Sequence, residues 1–147
     1  VEIGYTSGSD RIYFDNIHFT FWNADEADDG SRREDYGATF SAAWFLENNL
    51  MPFFRAGTSK GRAARYEKSV SAGLCYFASN TDLAGIGLNW AEADGISGDQ
   101  KTIEAFYRFS ISPNLQITPS VQFIKDPLLT SDESSITLFG LRARIVF

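Results

Sequence analysis

The sequence predicts an all-β fold, namely a transmembrane antiparallel up-and-down β-barrel with eight or nine strands in this chain. Three observations support this prediction. Apolar and polar residues alternate along segments of about ten residues, which is the period of a two-faced strand and the length that crosses a bilayer at a tilt. Short and long connections follow each other between these segments. Aromatic residues form 15% of the 147 residues, which is typical of a barrel with an aromatic girdle at each membrane interface.

The predicted strands follow from this alternation. In chain order they comprise residues 1–6, 12–23, 36–45, 51–58, 66–77, 83–90, 101–111, 115–125 and 135–147. No helix of useful length is indicated, and no segment approaches the ~18 consecutive apolar residues of a membrane helix. We therefore expect residues 1–147 to form a single domain built from strands.

The first three strands show the alternation and both membrane interfaces. Residues 1–6 alternate like the end of a strand, and the second strand carries His18 and Trp22 on its polar face. In the third strand Tyr36 and Trp44 share one face and lie eight residues apart. In a tilted strand that spacing corresponds to roughly 20 Å along the membrane normal, close to the ~25 Å apolar band of a barrel.

The next three strands place small or polar residues on one face. Arg55 is in phase with Gly57 in the fourth strand, and Glu67 begins the polar face of the fifth strand. The only cysteine, Cys75, lies on the same small, polar face, and we interpret it as a packing residue. A single cysteine excludes an internal disulfide and a cysteine-based metal site. Glycines on these faces predict close backbone packing or strand bending.

The last three strands alternate over their whole length and carry charges in phase. Glu104 and Arg108 share the polar face of the seventh strand, where Phe106 is an exception to the pattern. Arg142 and Arg144 are two positions apart in the ninth strand and therefore project to the same side.

The connections between the predicted strands alternate in length along most of the chain. The short ones comprise residues 7–10, 46–50, 78–82 and 112–114. The long ones comprise residues 24–35, 59–65, 91–100 and 126–134. Bacterial outer-membrane barrels have short periplasmic turns and longer extracellular loops, so this rhythm favours a bacterial outer-membrane location.

Composition and motifs argue against several other classes of protein. The formal net charge of −6 makes nucleic acid an unexpected partner. His18 is the only histidine, which excludes a centre with several histidine ligands, and neither a Gly-x-Ser-x-Gly elbow nor a phosphate loop is present. We therefore expect no enzyme activity and no cofactor. The acidic residues 25–29 (DEADD) are interpreted as a solvated loop, with a divalent-ion site as the alternative.

We expect the charged and aromatic residues of the polar faces to line the lumen of the barrel. An arginine or lysine facing lipid at the middle of a bilayer costs ~2–4 kcal/mol, which favours an inward orientation. Guanidinium and carboxylate groups on such a surface can hydrogen-bond a polar solute. The candidate residues are His18, Trp22, Arg55, Glu67, Glu104, Arg108, Arg142 and Arg144. The alternative is that these charges pair with each other and solvate the wall, and that Trp22 is a rim aromatic.

Several segments resemble the carbohydrate-selective porin family of Gram-negative outer membranes. The strongest resemblance lies in residues 99–127 (DQKTIEAFYRFSISPNLQITPSVQFIKDP) and 139–147 (FGLRARIVF). The segments DNIHFTFW, MPFFRAG, SVSAGLCYF and GIGLNWA also resemble this family, although Cys75 stands where a glycine is expected. The resemblance implies a sixteen-stranded barrel that passes sugars passively. In such a barrel, guanidinium and carboxylate groups can hydrogen-bond sugar hydroxyls in pairs, and the indole ring of Trp22 can stack on a pyranose ring. Family members are much longer, so it also implies that this chain is the C-terminal part of such a barrel.

The expected partners are mono- or oligosaccharides and outer-membrane lipids. A homotrimer is also expected, in which sister subunits would cover part of the apolar face. Nine strands would not close alone, because single-chain bacterial barrels have an even number of antiparallel strands. One alternative is a self-contained eight-stranded barrel that acts as an anchor or adhesin, without residues 1–6. Another is a lipocalin-type barrel with its apolar face inside.

Overall fold

A computed structural model describes residues 1–11, 14–26, 34–61, 66–79, 81–128, 130 and 132–145. The described residues form an up-and-down antiparallel sheet of nine strands, which confirms the predicted fold class. The strands are β1 (Glu2–Thr6), β2 (Asn16–Ala24), β3 (Asp35–Ala43), β4 (Leu50–Gly61), β5 (Lys68–Phe77), β6 (Leu83–Glu92), β7 (Asp99–Ser112), β8 (Leu115–Lys125) and β9 (Ser135–Ile145). Among these residues, no helix is long and apolar enough to cross a membrane.

The sheet does not close on itself. Each strand pairs with its neighbours in sequence, and β1 and β9 lie at the two ends of the strand order. Strand β1 pairs with β2 over five residue pairs, from Glu2 opposite Thr20 to Thr6 opposite Asn16. The N-terminal alternation therefore belongs to the same sheet as the other strands, which is the arrangement expected of a partial barrel.

The sheet has two chemically distinct faces. Residues directly opposite each other on antiparallel strands project to the same side. One side, called the polar face, carries the row Ser41, Arg55, Ser71, Asn89 and Thr102. The other side, called the apolar face, carries the row Pro52, Leu74, Ile86, Ala105, Val121 and Phe139.

The apolar face is not covered by any other part of the described chain. Phe139 is 85% exposed and Leu141 is 77% exposed, although both belong to the interior of β9. The buried apolar residues among those described are few, namely Cys75, Leu83, Ala91 and Ala93. An apolar surface of this extent indicates contact with lipid or with another protein.

Tyrosine and tryptophan lie toward both ends of the apolar face. Tyr36 lies near the start of β3 and is 52% exposed, whereas Trp44 follows the end of β3 and is 39% exposed. The backbone N–H of Trp44 donates to the carbonyl of Pro52 at 3.2 Å, so the strand pairing continues to this residue. The prediction that these two rings share a face at opposite rims agrees with the structure.

The strands and connections differ in length from the prediction in several places. Strands β4 and β6 extend into the predicted loops, and these connections shorten to residues 62–67 and 93–98. Conversely, the predicted turn at residues 7–10 is a longer connection, residues 7–15, which includes a short 3-10 helix, Ser9–Arg11. The ends of each strand depend on its backbone hydrogen bonds with the neighbouring strand. These hydrogen bonds can continue beyond the last residue of the apolar–polar alternation.

Asp15 holds the connection between β1 and β2 together. The residue is 3% exposed, and its carboxylate accepts a hydrogen bond from the Ser7 hydroxyl at 2.8 Å and from the Phe45 backbone N–H at 2.8 Å. It also forms an ion pair with Arg11. The hydrogen bond from Arg11 holds the pKa of Asp15 at about 2, below its ordinary value of 3.8. Phe14 and Phe45 join Phe77 in an aromatic cluster beside it, with ring centroids 5.2 to 5.9 Å apart.

Candidate functional site

The structure places the predicted site residues on the polar face of the sheet. His18, Trp22, Arg55, Glu104, Arg108, Arg142 and Arg144 lie within strands, at positions that alternate with the apolar face. Glu67 precedes β5 by one residue, but its backbone N–H donates to Glu92 and its carbonyl accepts from Ser59, both at 2.8 Å. The sheet pairing thus extends to Glu67. Contact of these residues with a permeating solute stays a prediction.

Three of the predicted residues meet in one cleft. Glu104 and Arg108 from β7 and Arg142 from β9 line a space of about 550 Å³ on the polar face. Phe106 and Thr118 also line this space. The hydroxyl of Thr118 lies on the strand between the two arginines, since Thr118 is directly opposite Arg142. The cleft therefore offers guanidinium, carboxylate and hydroxyl groups to a polar molecule.

Glu104 connects this cleft with a second one. The second space, of about 200 Å³, is lined by Arg55, Phe53 and Asn89 together with Glu104. The side-chain amide of Asn89 donates to the hydroxyls of Ser69 at 3.0 Å and Ser71 at 2.8 Å, which fixes its orientation. The arginines of β4, β7 and β9 thus lie along one continuous polar surface, with Glu104 between them.

The arginines of this surface are not used in ion pairs within the described part of the chain. The ion pairs there are Arg11–Asp15, His18–Glu2, Lys68–Glu92 and Lys101–Asp99. In addition, the Nε atom of Arg108 is buried and has no hydrogen-bond partner among the described residues. A buried donor without a partner is rare and costly, which makes it a site for a polar ligand or water.

His18 and Trp22 lie apart from the arginine clefts, on β2. The Nδ1 atom of His18 is 2.8 Å from the Glu2 carboxylate, so this ring is held by its neighbouring strand. The Nε1–H of Trp22 donates to Asp35 at 3.3 Å, and the same carboxylate accepts the hydroxyl of Ser59. Trp22 therefore presents a ring of fixed orientation toward the long-loop end of the sheet, defined as the end with connections 25–34, 62–67, 93–98 and 126–134.

On the polar face, aromatic rings lie over glycines of the neighbouring strand. The sequence analysis did not predict these pairs. Trp22 is directly opposite Gly37, and Phe106 is directly opposite Gly85. A Cβ atom at Gly37 would lie 2.3 Å from the indole ring of Trp22, and one at Gly85 would lie 2.4 Å from the ring of Phe106. This packing explains why Phe106 departs from the alternation: its ring lies over a glycine. Only the register between strands identifies such pairs.

The hypothesis of a divalent-ion site at residues 25–29 lies largely outside the described residues. Within the described ranges, no group of three or more histidine, cysteine, aspartate or glutamate residues is arranged to hold a metal ion.

Comparison with known proteins identifies one family. The family model described as "Carbohydrate-selective porin, OprB family" matches residues 5–147. No curated protein and no solved structure gives a significant match. The matched range includes all the predicted site residues. The all-β sheet, with one polar and one apolar face, agrees with a family of membrane β-barrels. The family consists of channels rather than enzymes. On this basis the chain belongs to the carbohydrate-selective porin, OprB family.

Proposed function

We propose that this chain forms part of an outer-membrane barrel through which sugars diffuse passively, in a water-filled lumen lined by the polar face. The observation that carries the proposal is the arginine–glutamate surface at Arg55, Glu104, Arg108 and Arg142, which lacks internal ion pairs among the described residues. It lies opposite an exposed apolar face. Membership of the family supports a role as a sugar porin.

The two chemically distinct faces support one orientation of the sheet in the membrane. The strand arginines are all on the polar face, whereas rows such as Leu74, Ile86 and Val121 form the apolar face. Turning the polar face toward lipid would cost ~2–4 kcal/mol for each arginine at the middle of the bilayer. The opposite orientation puts every one of these charges in water, which supports a lumen lined by the polar face.

The open edges of the sheet support a larger barrel. In β1 and β9 one side of each strand has no partner strand in the described sheet. Unpaired backbone groups cost several kcal/mol each in the hydrocarbon region, so a membrane barrel must be closed. We propose that further strands complete this sheet. The resemblance to the porin family supports sixteen strands in all, with this chain as the C-terminal part of the barrel. The expected homotrimer stays a prediction.

Sugar selection in this proposal relies on several weak contacts. Arg108 and Arg142 offer planar donors to adjacent hydroxyls, and Glu104 accepts from a hydroxyl between them. Trp22 offers a ring whose plane is fixed by Gly37 and Asp35. Passive conduction requires that each contact is weak enough for the solute to leave again. A wet lumen meets this requirement, because water competes for every hydrogen bond.

The proposal is tested by sugar-dependent block of the ion current in planar bilayers. Arg108→Gln and Arg142→Gln in the full-length protein should weaken the block about 2- to 10-fold, the effect of losing one net hydrogen bond. Lys60→Gln is the matched control, since Lys60 lies on the apolar face opposite Tyr36. Unchanged block in both arginine variants would remove these residues from the pathway. Absence of sugar-dependent block in the parent protein would overturn the proposed function.

A further inference from the structure

Lysine and arginine are divided between the two faces of the sheet. The chain has four lysines, and all of them lie on the apolar face next to the long-loop end, namely Lys60, Lys68, Lys101 and Lys125. The arginines within the described strands are instead on the polar face. Lysine side chains at the edge of an apolar surface extend their ammonium groups to the membrane interface. The lysines therefore mark the long-loop rim of the apolar face, where Lys68 pairs with Glu92 and Lys101 with Asp99.

Two of these lysines are directly opposite each other. Lys101 of β7 pairs with Lys125 of β8, and Lys101 also pairs with Trp90 of β6. Like charges directly opposite each other destabilise a sheet. Asp99 binds the ammonium of Lys101 at 3.1 Å and the indole N–H of Trp90 at 2.7 Å. Within the described residues Lys125 forms no ion pair, so its ammonium group has no carboxylate within ion-pair distance.

An apolar groove begins directly below this pair. It has a volume of about 520 Å³ and extends across β5 to β8. Its apolar lining residues are Val70, Ala72, Leu88, Trp90, Ile103 and Phe123. Asn89, Thr102, Lys101 and Lys125 complete the lining. Leu88 is 58% exposed and Phe123 is 44% exposed, so these side chains leave room for a hydrocarbon chain. The groove thus combines an apolar floor with two ammonium groups at one end.

We propose that this groove binds a phosphorylated, acylated lipid of the surrounding membrane. The lipid phosphate lies between the ammonium groups of Lys101 and Lys125, where it removes their repulsion. An acyl chain follows the groove over Leu88, Ile103 and Phe123. The apolar lining selects a lipid over free phosphate, since an inorganic anion would leave the groove empty. This inference rests on the proposed membrane location, and it does not depend on sugar passage through the lumen.

Trp90 lines the groove and serves as the reporter. The full-length protein is reconstituted in phosphatidylcholine vesicles that contain a small fraction of either brominated phosphatidylglycerol or brominated phosphatidylcholine. The Trp90 contribution is the difference between each protein and its Trp90→Phe counterpart. Quenching by the brominated anionic lipid should exceed quenching by the zwitterionic one. The preference should fall about fivefold for each lysine removed in Lys101→Gln and Lys125→Gln.

Lys60→Gln is the matched control, because it removes a rim lysine that does not line this groove. It should leave the preference unchanged. Equal quenching by both brominated lipids would overturn the lipid site while confirming contact of Trp90 with the bilayer. No quenching by either lipid would overturn both the site and the proposed membrane location. If inorganic phosphate abolishes the preference at constant ionic strength, the site recognises free phosphate and the lipid assignment is wrong.

Discussion

The ring of Phe53 lies against Gly73, its direct partner on the neighbouring strand. A Cβ atom at residue 73 would lie 2.4 Å from the Cζ atom of Phe53 and 2.4 Å from the carbonyl oxygen of Ile86. The carbonyl belongs to the backbone of the sheet and cannot move without disturbing the pairing of β5 with β6. The absence of a side chain at Gly73 is therefore a packing requirement of the polar face.

We predict that Gly73→Ala destabilises the protein by about 1–3 kcal/mol, the usual cost of overpacking a tightly packed position. Urea unfolding of the detergent-solubilised protein measures this change. Gly87→Ala is the matched control, because Gly87 is directly opposite Gly73 and its Cβ would meet only the Phe53 ring, at 3.4 Å. Equal destabilisation by both substitutions would contradict the packing argument and indicate a general cost of losing glycine.

Asp15 predicts a pH dependence of stability. Its pKa in the folded protein is about 2, below the ordinary 3.8, mainly because Arg11 donates a hydrogen bond to it. A carboxyl group whose pKa is lowered in the folded state stabilises the protein at pH values above its ordinary pKa. This contribution should be complete above about pH 4 and should be lost as the pH falls through about 2.

Urea unfolding midpoints of Asp15→Asn and the parent protein, measured from neutral pH down to about pH 2, check this prediction. Asp15→Asn should be less stable near neutral pH, and the difference should shrink toward pH 2. Glu47→Gln in the exposed turn between β3 and β4 is the control and should change little. A difference that stays constant over the whole range would show that the carboxylate charge is not the source of the stability.

Glu104 should control the ion preference of the pore. It is the carboxylate that lines both polar clefts, and Arg55, Arg108 and Arg142 surround it in the lining. Glu104→Gln removes the negative charge from this arginine surface, so the reversal potential in a salt gradient should shift toward greater anion preference. Glu92→Gln is the control, because Glu92 pairs with Lys68 outside these clefts. A shift toward cations, or none, would place Glu104 outside the conducting path.

Trp22 should contribute to sugar binding through its ring rather than its N–H group. The N–H is already donated to Asp35, whereas the ring lies over Gly37. Trp22→Ala should weaken sugar-dependent current block about 2- to 10-fold, in the range of a single aromatic contact. Trp22→Phe, which keeps a ring, should retain most of the block. Equal loss in both variants would assign the effect to the hydrogen bond with Asp35 instead.

The alternation of apolar and polar residues was sufficient to predict the strands and the side to which each residue projects. Successive Cβ atoms in a strand point to opposite faces, so the face of Arg55, Arg108 or Arg142 depends only on its position in its own strand. For the same reason the prediction that Tyr36 and Trp44 share a face agrees with the structure. The resemblance to the porin family likewise relied on sequence alone, and the family match over residues 5–147 confirmed it.

The tertiary structure alone decided which residues of different strands lie opposite each other. The register brings Glu104, Arg108 and Arg142 to one cleft, sets Phe106 over Gly85, and places Lys101 opposite Lys125. Which residues become cross-strand neighbours depends on where each connection begins and ends. The connection at residues 7–15 is longer than its turn-forming residues 7–10 predicted, so the composition of a connection does not determine its length. A shift of one residue between two strands would exchange these partners without any change in sequence. The sequence therefore determined the composition of each face, and the backbone pairing determined the sites formed on it.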